Sequence, residues 1–160
     1  YLAVNNPINL IDLLGLDAVV LNDSDAAHHF GHNAIAIGND STGWDYYSQD
    51  GPELGGRYDH YDSYEQLMAA QRGRYDRSHR IPATPEQDQR MRESAQGNHH
   101  RPYSANPLDP NRYHCADLCN DALEAGGISH GEESWGNIPN DAFEKIKKEN
   151  PPTVKEQGKS

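Results

Sequence analysis

Two residues in this chain have the type and setting for nucleophilic chemistry at a carbonyl carbon. Cys115 opens the series Cys115, Ala116, Leu118, Cys119, Ala122 and Leu123. Its three-and-four spacing predicts a buried helix ended by Gly126 and Gly127. A thiol in a first helical turn lies in the partial positive field of the helix N-terminus, which favours the thiolate, the nucleophilic form. Cys119 sits one turn further on, outside that field and among apolar positions, so it reads as core packing. Four positions apart on one helix face, the two cysteines have poor geometry for a disulfide. A thiolate mechanism also needs an imidazole within hydrogen-bond reach to accept and return a proton. His32 is the best candidate, because it stands at a strand entrance beside Gly31 and Ala34, small neighbours that leave room for a substrate backbone. The backbone N–H of Cys115 is a candidate donor to an oxyanion.

Other chemistry competes with this reading. His28, His29 and His32, with His99 and His100, supply enough imidazoles for a zinc or other divalent-metal site, and hence for a metal-dependent nuclease. Against it, no helical zinc motif is present, and the stretch bearing His28 and His29 has no clear carboxylate partner at ligand spacing. A third class is an inactive binding module, which predicts ordinary thiol reactivity at Cys115.

The elements that must position Cys115 and His32 can be read from turn chemistry and apolar pattern. Ala18 to Leu21 is a short β-branched run and predicts a first strand, followed by a polar turn from Asn22 to Phe30. His32 to Gly38 and Trp44 to Ser48 flank the turn cluster Asn39 to Gly43 and predict a β-hairpin entered at His32. Gln49 to Tyr61, rich in Gly, Asp and Tyr, reads as a loop. Ser63 heads a short helix to Gln71. Thr84, Pro85 and Gln87 combine a cap, a first-turn proline and a capping-box partner, and start a polar helix toward Ala95. Three prolines make His99 to Arg112 a crossing loop. A last helix from Asn140 to Lys148, capped by Asn140, places acids early and lysines late, as the helix dipole prefers. From residue 150 the chain reads as a disordered tail.

With 160 residues the chain fits one domain. Only 34% of it is hydrophobic and the mean hydropathy is -0.97, so the core must be compact. A net charge of -11 repels phosphate backbones, so nucleic acid is not the expected partner; an acidic surface suits a basic protein partner instead. No run of about 18 apolar residues exists, so no membrane span is expected. Tyr46, Tyr47, Tyr58, Tyr61 and Tyr64 are candidates both for a polar aromatic groove and for ordinary packing.

Two resemblances sharpen these expectations. Asn6, Pro7, Asp12, Gly15 and Leu16 resemble the motif that closes the core of Rhs repeat proteins, with Leu13 where that family usually has proline. The resemblance implies that residues 1–16 end an Rhs core, with self-cleavage near Leu16 and Asp17 involving Asp12. It implies that 17–149 is a toxin domain of a secreted effector delivered into a target cell. It also implies an Rhs shell and secretion machinery as partners, and a cognate immunity protein. Separately, the Gly31-His32 strand, the Gly43 to Ser48 strand, the Thr84 helix, Tyr103 and the Tyr113-His114-Cys115 helix ending at Gly126-Gly127 resemble, in that order, the circularly permuted branch of the NlpC-type papain-like superfamily. His114 stands where that branch often has asparagine. The implied fold is α+β, a small antiparallel sheet whose hairpin bears His32, packed against the helix that starts at Cys115. The implied activity is a cysteine peptidase or amidase attacking an amide or ester carbonyl of a peptide, protein or peptidoglycan substrate, with lipid esters also to be considered, and with Cys115 as nucleophile and His32 as general base and acid. The family's third, orienting group projects from the next strand, where Ser48 falls nearest and Asp45 and Tyr47 compete if the register shifts. Such chemistry calls for no cofactor and no metal.

Overall fold

The computed structural model describes residues 15–152, so Asp12 and the rest of the Rhs-like motif before Gly15 lie outside the described residues, as does the tail from 153. The fold is α+β, built on one five-stranded antiparallel sheet. Its strands are β1 (Leu16–Asp23), β2 (His32–Asn39), β3 (Gly43–Gln49), β4 (Gly56–Tyr61) and β5 (Arg77–Ala83), in spatial order β4-β3-β2-β1-β5. The helices are α1 (Tyr64–Ala70), α2 (Pro85–Asn98), α3 (Cys115–Ala125) and α4 (Pro139–Glu149).

Both faces of the sheet are covered, which explains why β1 and β2 are buried along almost their whole length. Side chains alternate across a strand, so Ala18, Val20, Ile35, Ile37 and Tyr47 share one face. There they meet Met91, Leu118, Leu123, Phe143 and Ile146 of α2, α3 and α4. The intervening positions Val19, Leu21, Ala34, Ala36, Trp44 and Tyr46 pack on the other face with Leu67 of α1 and Tyr75. Tyr61 and Tyr64 pack against this second cluster, so the tyrosines do not form a groove; only Tyr58 of the five is exposed.

The hairpin, the Ser63 and Thr84 caps and the α3 span follow the sequence pattern. Three elements differ from it. The Gly-rich stretch after Gln49 contains β4, and residues 77–83 form β5, which the polar sequence Arg77-Ser78-His79-Arg80 conceals. Both are edge strands, where one inward face suffices, and Pro82 is tolerated because an edge strand need not donate every ladder bond. The third difference is Asn140. It is not a cap: α4 begins at Pro139, after Ile138, which makes no side-chain cap bond.

Asn140 instead ties α4 to the segment leading into β2. Its Nδ2 donates to the carbonyls of Ser24 and His29 at 3.0 and 2.9 Å, and its backbone N–H donates to Phe30 O at 3.0 Å. Its Oδ1 accepts from Asn22 Nδ2 at 3.0 Å. Gly31 lies against this side chain so closely that a Cβ there would stand 2.1 Å from Oδ1. The clamped segment needs holding, because Ala27, His28 and His29 all have positive φ (50, 55 and 71°), a region that costs non-glycine residues roughly 1–3 kcal/mol each. Replacing Asn140 with alanine keeps the backbone bond to Phe30 but removes the side-chain bonds from strained backbone, and is expected to lower unfolding free energy by about 1–3 kcal/mol. A denaturation midpoint matching wild type would show that the turn holds itself.

Candidate active site

Cys115 is the first residue of α3, and His114 is its N-cap. The capping is reciprocal: Ala116 N–H donates to His114 Nδ1 at 3.3 Å, and His114 N–H donates to Asp117 Oδ2 at 3.0 Å. His114 Nε2 faces Gly136 O at 2.9 Å, which fixes the loop carrying Trp135 to the helix start. Histidine thus does here what asparagine does as a cap, through a ring nitrogen. The Cys115 N–H, at the first helical position, has no intrahelical acceptor and remains available to a developing oxyanion.

His32 begins β2, across the sheet end from this helix start. Asn33 N–H points at Cys115 Sγ at 3.5 Å, so the two elements meet at the thiol. Asn33 itself is pinned by Asn22, which donates to its Oδ1 at 2.8 Å, and by its own Nδ2, which donates to Pro139 O at 3.0 Å. His32 Nε2 lies 2.9 Å from Ser48 Oγ and 3.3 Å from Asp50 Oδ1. Ser48 in turn donates to Asp50 Oδ1 at 2.6 Å. Nε2 is therefore committed to the Ser48–Asp50 side, leaving Nδ1 as the ring nitrogen for Cys115. Tyr75 stacks beneath the imidazole, with ring centroids 6.1 Å apart and planes 24° from parallel.

The structure brings Cys115, His32 and Ser48 together and adds a carboxylate the sequence pattern did not single out. Asp50 follows Ser48 by two residues, so it continues the same face of β3 past the end of the strand. Asp45 and Tyr47 are corrected as orienting alternatives. An odd number of residues from Ser48, they project from the opposite face. Tyr47 is in the helix-side core, and Asp45 accepts from Tyr58 Oη at 2.7 Å and pairs with Arg92 at 2.8 Å. Of the two described residues of the Rhs-like motif, Gly15 accepts through its carbonyl from Asn39 Nδ2 at 3.1 Å and Leu16 starts β1 opposite Ala83.

The electrostatics form a coupled set. Burial disfavours the His32 imidazolium, but its bonds to Asp50 and Cys115 outweigh that and lift its pKa to about 9. Burial likewise opposes the Cys115 thiolate, and the imidazoles of His114 and His32 outweigh it and bring the thiol down to about 6. Asp50, despite burial, is held well below the usual carboxylate range by His32, Ser48 and Arg74. By contrast Cys119, fully buried in the core, is pushed well above the ordinary thiol value. Between about 6 and 9, then, Cys115 and His32 form a thiolate–imidazolium pair.

Cys115, His32, His114 and Asp50 open on one cavity of about 590 Å³, within the usual range for small-molecule sites. The histidines considered as metal ligands are dispersed. His29 faces Asp25, His99 packs beside Tyr47 and Tyr58, and His28 stands at the cavity rim. Among the described residues no group of three or more His, Cys, Asp or Glu side chains has metal-binding geometry. No family model matches this chain, and no curated protein and no solved structure is detectably similar to it.

Proposed function

We propose that this protein is a cysteine-dependent hydrolase of amides or esters, with a permuted papain-like arrangement, and that it serves as the toxin segment of an Rhs-type antibacterial effector. The observation that carries the enzymatic reading is the chain of contacts Asp50–Ser48–His32, with Cys115 at a helix start, all at one cavity. Support for the effector reading is the Asn6 to Leu16 motif in the sequence.

In this mechanism the Cys115 thiolate attacks the substrate carbonyl carbon, forming an S–C bond while the oxygen gains charge against the Cys115 N–H. The tetrahedral species collapses by breaking the bond to the leaving amine or alcohol, which takes a proton from the His32 imidazolium. The neutral His32 then removes a proton from water, and the resulting hydroxide attacks the thioester. Breaking the C–S bond releases the acid and restores the ion pair. Asp50, acting through Ser48, keeps the imidazole oriented and charged during the first half.

The test is to express the domain in bacteria, directed either to the cytoplasm or to the periplasm, as wild type and as Cys115→Ala. Wild type is expected to arrest growth in one compartment, with Cys115→Ala harmless in both. Equal killing by Cys115→Ala would sink the thiolate mechanism and return the histidine-metal nuclease to consideration.

A further inference from the structure

The cavity around Cys115 has a charge pattern and an aromatic rim that narrow its substrate. Its one carboxylate and one guanidinium are already matched. Asp50 pairs with His32 and with Arg74 at 3.3 Å, and Cys115 is neutralised by the imidazoles. Asp50 and Cys115 therefore balance Arg74 and the His32 imidazolium, and no lining carboxylate or guanidinium is left for a charged substrate. A charged group entering here would lose its hydration without gaining a partner. The protein's net charge of -11 adds a long-range penalty against anionic substrates.

At the same mouth stand two large apolar side chains that folding has left outside the core. Trp135 is 75% exposed and Phe30 is 57% exposed, and both line the cavity with Ala27, Ile138 and Pro139. Neither aromatic is loosely held in its backbone: Phe30 O accepts from Asn140 N–H, and Gly136, next to Trp135, is fixed by His114. Exposed apolar side chains on anchored backbone, gathered at a concave site, mark a surface meant to be covered by ligand.

We infer that the group transferred to Cys115 is an uncharged, apolar acyl group that lies against Phe30 and Trp135. This rests on the cysteine-hydrolase reading above and adds the substrate class to it. An apolar acyl group gains by leaving water for this rim, whereas a polyanionic stem peptide of the cell wall would meet no unpaired guanidinium or ammonium to receive it.

The test uses p-nitrophenyl esters of acetate, butyrate and octanoate and of succinate, whose free carboxylate supplies a charged acyl group. An N-blocked phenylalanine ester separates a bulky amino-acid side chain from a linear chain. In each, the ester C–O bond breaks as the S–C bond to Cys115 forms, and p-nitrophenolate is released. A fully buried methylene is worth up to about fourfold in binding, so partial burial of the octanoyl chain is expected to raise kcat/KM about thirtyfold or more over acetyl. The succinyl ester is expected to be slower than butyryl. Trp135→Ala and Phe30→Ala, both at exposed positions, should lower the octanoyl-to-acetyl ratio, and a preference for the phenylalanine ester over octanoyl would identify the apolar acyl group as an amino-acid one.

A flat or falling series, a succinyl ester as fast as butyryl, or a ratio untouched by Trp135→Ala overturns the inference. Mass spectrometry of the quenched protein separates the two levels. Acylated Cys115 with no chain-length preference sinks only the substrate class. Absence of any acyl adduct at Cys115 sinks the hydrolase reading as well.

Discussion

Cys115→Ala is expected to lower kcat/KM toward an activated acyl ester by about 10³-fold or more, since no other group can form the covalent intermediate and removing a nucleophile costs on that order. The useful control is the other thiol. Cys119 is fully buried among Leu118, Ala122 and the sheet, with its pKa pushed up, so it is a packing residue by every physical measure. Cys119→Ala should retain the turnover and the acyl adduct of wild type while losing about 1 kcal/mol of stability from the small void it leaves. The pair thus divides chemistry from packing within a single helix. A Cys115→Ala protein within tenfold of wild type, or an adduct mapped to Cys119, would remove the basis for the mechanism.

The second large effect is in pH dependence. Cys115 titrates at about 6 and His32 at about 9, so below 6 the thiolate is protonated and both alkylation and turnover fall. Above 9 the sign differs between the two readouts. The thiolate persists, so alkylation stays high, whereas turnover declines because the neutral imidazole no longer donates a proton to the leaving group. Turnover should therefore be bell-shaped and alkylation by iodoacetamide should rise once, near 6. In His32→Ala one of the two stabilising imidazoles is gone, and the alkylation midpoint is expected to move up by roughly one unit or more, toward the ordinary thiol value of about 8.5. Asp50→Asn should pull the upper limb of the bell down, since the carboxylate's bond to His32 is what most raises the imidazole's pKa. The midpoint, rather than the rate at one pH, is the quantity to read, because a thiolate of lower pKa is also a weaker nucleophile. A wild-type midpoint near 8.5, or one unmoved by His32→Ala, would contradict the ion pair.

The sequence carried the parts of this site that depend on local rules. A helix start, a glycine pair at its end and a hairpin with a turn cluster are written in spacing and turn residues, and these place Cys115, His32 and Ser48 on recognisable elements. Asp50 was hidden because it sits beyond the end of its strand, in what reads as a Gly-rich loop; only the two-residue alternation continued from Ser48 points to it. Edge strands β4 and β5 were hidden for a related reason. A strand with one covered face needs few apolar residues, and in β5 only His79 and Ile81 are buried, with Ala83 packed partly against the core. Asn140 looked like a cap because asparagine before an acidic first turn usually is one. Its role depends on backbone more than a hundred residues earlier, which no local pattern encodes.

That span has a kinetic consequence. Asn22 and Asn140, bonded to each other, are 118 positions apart, and Asn33 and Cys115 are separated by 82. Contacts this remote are reached late, since closing long loops costs entropy before the contact returns anything. During synthesis the β1–β2 hairpin can pair as soon as it clears the ribosome, yet Cys115 and the α4 clamp still have to emerge. While the 82 positions from Asn33 to Cys115 are being synthesised, the nascent chain carries His32 without that nucleophile beside it, so assembly of the centre comes late in the folding of this sheet.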